Sequence, residues 1–141
     1  MSRRQEIENI IIGTLLESTE GENYFTHCRC CLTVDMFSDE ANRRIYAIVA
    51  EMNAKGKTAT TPSDIFAEYG AEVMDVMDAM VEKGVNWSFI HKKVQYNEYW
   101  YIERQLSGCE ARHTDVTFLD YINLFVKIVF EDERKRYKTA V

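Results

Sequence analysis

Proline is almost missing from this 141-residue chain: there is one, and only six glycines accompany it. So few helix breakers exclude a loop-rich or collagen-like chain and favour long helices. No alternation of apolar and polar residues marks a strand, which sets sheet folds aside. Apolar runs of the roughly 20 residues that span a bilayer are lacking too. Met1-Ser2-Arg3-Arg4 leads straight into an acidic amphipathic segment rather than the apolar core of a signal peptide. The expected compartment is the cytoplasm, where thiols stay reduced. An excess of positive charge is also missing. Seventeen basic against 23 acidic residues leave a net charge of -6, which argues against a general nucleic-acid or anionic-membrane surface. Three histidines lie scattered along the chain, and no nucleophile–base pair emerges from them.

What is present is a large apolar share, 46%, enough for a real core in one domain or one domain with an extension. Residues from about Arg3 to Leu16 form a first helix, with Ile7, Ile10, Ile11, Thr14 and Leu15 on one face and Ile12 and Leu16 widening it. Gly13 inside that helix costs about 1 kcal/mol against alanine, which points to close approach of a neighbouring element. Tyr24 to Leu32 reads as a short helix. Ser38, Asp39 and Glu40 start the next one, with a capping hydroxyl and carboxylates in its first turn. Ala41, Ile45, Ile48, Val49 and Met52 give it an apolar face, and Gly56 is its natural stop. Thr61 and Pro62 open another helix as cap and first residue. Ala71 to Lys83 follows, with Val73, Met74, Met77, Met80 and Val81 on one side. Gly84 is expected to end it and Asn86 to cap a long helix from Trp87 to about Arg112. Thr114 and Asp115 cap the last, Val116 to about Tyr137.

Two patterns invite chemistry. Gly56-Lys57-Thr58 looks like the end of a phosphate-binding loop. That motif needs a glycine five residues earlier and a strand leading in, whereas position 51 is Glu51 on a helix. His27, Cys28, Cys30 and Cys31, with the distant Cys109 and His113, suggest a metal site. Paired as C-x-C and as adjacent cysteines, they lack the C-x2-C spacing by which two thiolates reach one zinc ion. Packing of small apolar thiols is the better reading, so no metal, cofactor or catalytic residue is expected. Tyr96, Tyr99, Trp100 and Tyr101, interleaved with His91, Lys92, Lys93 and Arg104, could stack on bases, but the acidic total favours a packed aromatic face.

The last helix has one narrow polar stripe, Thr117, Asp120, Asn123, Lys127 and Glu131, and is apolar nearly everywhere else from Phe118 to Phe130. A helix apolar most of the way round is covered on more than one side. It is therefore expected to pack on its own domain and on another chain. The fold class is all-α: a small orthogonal bundle of about five helices over residues 1–85, then a long helical hairpin with a charged end over 86–141.

With these segments in place the chain resembles the N-terminal domain of the DnaB-type replicative DNA helicase, as encoded by a host, a phage or a mobile element. Four stretches carry the resemblance. Glu6 with Ile10-Ile11-Ile12-Gly13-Thr14-Leu15-Leu16 looks like the family's first helix. Met36-Phe37 followed by Asn42-Arg43-Arg44-Ile45-Tyr46 looks like its aromatic-marked helix. Lys55-Gly56-Lys57 with Thr61 to Ile65 looks like its glycine-capped loop and next helix. Gly84-Val85-Asn86-Trp87, with Ile90 and Val94, looks like the start of its hairpin. The loop reads KGKTATTPSD rather than the family's usual Gly-Lys-Pro-hydrophobic-Asp, and no phosphate-binding loop of an ATPase domain is present.

The resemblance implies a non-catalytic module in DNA replication. It would pair through its hairpin, assemble as a trimer of dimers into a hexameric ring, and bind primase or a helicase loader. DNA would be met only indirectly, through the assembled helicase, and no membrane is involved. The dimer contact then falls on Trp87, Ile90, Val94, Trp100, Tyr101, Ile122, Phe125, Val126 and Val129. Large aromatic and aliphatic side chains suit such a contact. Two alternatives stay open: a standalone phage or mobile-element adaptor that docks on a host helicase, and a small zinc-binding helical protein built on the histidine–cysteine set.

Overall fold

The computed structural model describes residues 2–88 and 118–140. These are all-α, with no strand among the described residues. The helices are α1 (Arg3–Leu15), α2 (Glu40–Ala54), α3 (Pro62–Tyr69), α4 (Met74–Trp87) and α5 (Phe118–Ala140), with 3₁₀ turns at Tyr24–His27, Val34–Met36 and Gly70–Val73.

Helix α1 is the axis of the fold. Every residue from Ile7 to Leu15 is buried, including Glu8, Asn9 and Thr14. A helix covered all round sits at the centre rather than on a face, and α2, α4 and α5 pack around it. Gly13 is the point of closest approach. A Cβ there would stand 2.6 Å from the Lys83 carbonyl oxygen and 2.9 Å from the Ser88 nitrogen, both backbone atoms of the α4 end. The glycine expected to admit a neighbour does so.

Helix α2 buries Ile45, Tyr46, Ile48, Val49 and Met52, the face read from the sequence with Tyr46 added. Its end is a Schellman turn. Gly56 takes a φ of +81°, its N–H donates to the Asn53 carbonyl, and the Lys57 N–H donates to the Met52 carbonyl. The apparent phosphate loop is thus a helix stop in which the Gly56 and Lys57 N–H groups are already used, and the Lys57 ammonium pairs with Glu68. Thr61 and Asp64 form a reciprocal capping box at α3, with Pro62 in the first turn.

Several boundaries differ from expectation. Tyr24 to Leu32 is a 3₁₀ turn followed by further turns, not a helix. Asn23 caps it through its own side chain, and such local bonds compete with a longer helix. The N-cap of α2 is Asp39, whose carboxylate accepts from the Ala41 N–H, while the Ser38 hydroxyl donates to Glu8 instead. Gly84 does not end α4, which continues to Trp87 because packing on α1 overrides the intrinsic cost of one glycine. On the same helix Val76 and Met80 are buried, whereas Met74 and Val81 point outward.

Aromatic rings lock α5 to the rest. Phe37 stacks at 4.8 Å on Tyr46 of α2 and at 5.1 Å on Phe125 of α5. Phe118 meets Tyr24 edge-on at 5.6 Å. Arg4 donates to Asp132 at 3.0 Å and to the Met36 carbonyl at 2.6 Å, tying α1, the Met36 turn and α5 together.

Candidate interaction surface

The nine residues expected to form a dimer contact fall into three groups. Ile122, Phe125 and Val129 lie inside the chain's own core, with the first two fully buried. Val126 and Trp87 are half-buried at its margin. Ile90, Val94, Trp100 and Tyr101 lie outside the described residues, as do Cys109 and His113. The polar stripe on α5 is solvent-facing at Asn123, Lys127 and Glu131 and half-buried at Asp120.

The large apolar side chains that α5 leaves exposed are ones that sequence reasoning passed over. Leu119 is 48% exposed, Phe130 68% and Tyr137 74%. With Val126 they recur at intervals of seven, four and seven, so they form one stripe beside the buried one. The missing signal was directional. The apolar periodicity of a helix does not say which of its residues meet the core, and only the packed fold does.

Beneath the outer surface lies a buried polar junction. The Glu8 carboxylate on α1 accepts from the Ser38 N–H and hydroxyl, the Asp39 N–H and the Asn42 amide, each at 2.9 Å. It therefore satisfies donors that the start of α2 leaves without a partner in its own helix. Asn42 also donates to Asn9 at 3.0 Å, and the Lys83 ammonium of α4 donates to Asn9 at 2.8 Å. Lys83 further lies 3.4 Å from Asp39. Burial pushes the Asp39 carboxyl up, but the Lys83 ammonium and the Ala41 and Asn42 N–H groups outweigh it and hold it below its ordinary value. The junction fixes three helices against one another, with the buried Asn42 Oδ1 left without a hydrogen-bond partner.

Of the described cysteines only Cys28 is placed in the core. Cys28 is buried, its thiol directed at the Tyr24 carbonyl, and burial pushes its pKa well up. Cys30 and Cys31 are exposed. Cys28 and Cys31 do stand in C-x2-C spacing, which is overlooked when the cysteines are paired as neighbours. Among the described residues, however, no three His, Cys, Asp or Glu side chains are grouped so as to hold a metal ion. Nor, among the described residues, is any helix long and apolar enough to cross a membrane.

Comparison with known proteins agrees with the helical core. Residues 1–68 match the family of the DnaB-like helicase N-terminal domain. No curated protein and no solved structure matches the chain. Three of the four stretches that carry the resemblance, beginning at Glu6, Met36 and Lys55, lie within the matched residues; Gly84–Trp87 lies beyond them. The central helix with Gly13, Phe37 before α2 and the Gly56 stop before α3 all lie within the matched residues, whereas the core residues of α4 and α5 lie beyond them. Over residues 1–68, just under half of its length, the chain is similar to the DnaB-like helicase N-terminal domain.

Proposed function

We propose that the chain is a non-catalytic assembly and docking module of a replicative DNA helicase, acting in the cytoplasm. It self-associates through the region 86–141, and pairs build a ring as a trimer of dimers. The observation that carries this reading is the outer stripe of α5. Phe130 and Tyr137 are more than two-thirds exposed on a helix whose opposite side is locked into the core. Large exposed aromatic side chains at regular helical spacing are costly to leave in water and give much contact area per ordered residue.

The division of labour is physical. Ile122, Phe125 and Val129 hold α5 in place, while Leu119, Val126, Phe130 and Tyr137 meet the second copy. Trp87, Ile90, Val94, Trp100 and Tyr101 extend that contact. Primase or a helicase loader binds the assembled module, and DNA is engaged only through the whole helicase. Sedimentation velocity on the wild-type chain and on Phe130→Asp tests the self-association. A concentration-dependent dimer that the substitution dissociates supports it, and a wild-type monomer at high concentration refutes it.

A further inference from the structure

A second exposed apolar stripe lies on α4, independent of the α5 surface. Met74 is 57% exposed, Val81 50% and Val85 69%. Their intervals of seven and four put them on one side of the helix, directly opposite the buried Val76, Met80 and Lys83. The stripe covers about 16 Å, or three helical turns. Half-buried Met77 lies at its edge. Exposed methionine is a deformable apolar contact that adapts to different partners.

The exposed charges that α4 itself sets beside the stripe are acidic, with Arg44 of α2 paired to one of them. Asp75, Asp78 and Glu82 on α4, and Glu72 in the turn before it, are all exposed. The one cation of α4, Lys83, points to the other side, into the junction with Asn9 and Asp39. Only Asp75 has a cationic partner among the described residues, Arg44 at 3.0 Å. An acidic rim repels nucleic acid and anionic lipid. It also disfavours a second copy of the same face, which would set carboxylate against carboxylate. A partner helix with an apolar stripe flanked by Lys or Arg satisfies both the apolar row and the carboxylates.

We propose that the outer face of α4 is a docking site for a basic amphipathic helix of a partner protein. About three turns of that helix lie along Met74, Val81 and Val85, and its flanking cations meet Asp78 and Glu82. The site does not depend on the self-association described above, because it uses the outer face of α4 rather than the half-buried Trp87 at its end, and a different partner.

The test uses the full chain and a fluorescent 14-residue peptide of leucine and lysine in helical amphipathic order. A leucine–glutamate peptide of the same pattern is the control. Fluorescence anisotropy is expected to show binding of the basic peptide, weakened several-fold by added salt, and at least tenfold weaker binding of the acidic one. The decisive variant is Val81→Asp/Val85→Asp. It adds negative charge, so diffuse electrostatic attraction would strengthen binding, whereas loss of the apolar row weakens it tenfold or more. Both side chains are at least half exposed, so thermal unfolding of the variant is expected to match the wild type. Asp78→Asn/Glu82→Gln is expected to weaken binding several-fold without touching the apolar row. Absence of wild-type binding, equal binding of the two peptides, or undiminished binding by Val81→Asp/Val85→Asp overturns the proposal. So does a finding that this variant alters only the chain's own oligomeric state, which would assign the face to a second copy.

Discussion

Glu8 and Asn42 face each other across the α1–α2 contact, the amide nitrogen donating to the carboxylate at 2.9 Å with both residues fully buried. The same carboxylate takes both the N–H and the hydroxyl of Ser38 and the N–H of Asp39. A buried charge is tolerated only when it is paired or fully hydrogen-bonded, and here one helix supplies the acceptor for the start of another.

Glu8→Ala should therefore be among the most destabilising single changes in the chain. It strands the buried Asn42 amide and the part-buried Ser38 and Asp39 donors at once, at a cost of about 3 kcal/mol. Ser38→Ala removes its hydroxyl alone and should cost about 1 kcal/mol. Urea unfolding followed by circular dichroism measures both. Equal effects of the two substitutions would contradict the central place of the carboxylate.

Gly13→Ala tests the α1–α4 approach. Alanine is the better helix former by about 1 kcal/mol, so an uncrowded site would gain stability. Here the added methyl meets the Lys83 carbonyl and the Ser88 nitrogen, backbone atoms that move only with the helix. The expected outcome is a net loss of about 2 kcal/mol in the same urea experiment.

Asp39 gives the fold a defined acid response. Its pKa is held below the ordinary value in the folded chain. The stability it contributes is thus complete above the unfolded value of about 3.9 and is lost as pH falls through the folded value. Asn is nearly as good an N-cap but carries no charge for Lys83. Asp39→Asn should be less stable than wild type at pH 7, and the gap should close below about pH 4. Urea midpoints across that range check the sign, and a gap that widens in acid would contradict it.

The thiols should divide by exposure. In a Cys109→Ser chain, Cys30 and Cys31 are expected to react with a disulfide reagent in the native state. Cys28, buried and with its thiol pKa raised, should react only on unfolding. Counting fast and slow equivalents spectroscopically decides this, and three fast equivalents would show that the Cys28 packing is wrong.

Much of this architecture was legible in the residues. The Gly56 stop, the Thr61–Pro62 start and the close approach at Gly13 depend on local chemistry that a sequence displays directly. So did the apolar face of α2. The Asp39 cap was displaced by one residue because Ser38 serves Glu8, a partner 30 positions away that no local rule reveals. Gly84 was misread as a stop because its cost is offset by packing on α1. The largest gap concerned direction. Val81 and Met74 look like core from their spacing, and Phe130 does not stand out from its apolar neighbours on α5, yet all three are at least half exposed. Which side of a doubly apolar helix meets the core depends on the shape of its neighbours, not on its own periodicity.

The central claim is self-association through the outer stripe of α5, and sedimentation velocity of the full chain over a hundredfold concentration range tests it most directly. A reversible dimer or larger even-numbered assembly is expected for the wild type and a folded monomer for Leu119→Asp/Phe130→Asp. Unchanged circular dichroism in the variant would show that the core residues Ile122 and Phe125 still hold the helix in place. A wild-type chain that sediments as a monomer throughout, or a variant that assembles as well as the wild type, would contradict the account.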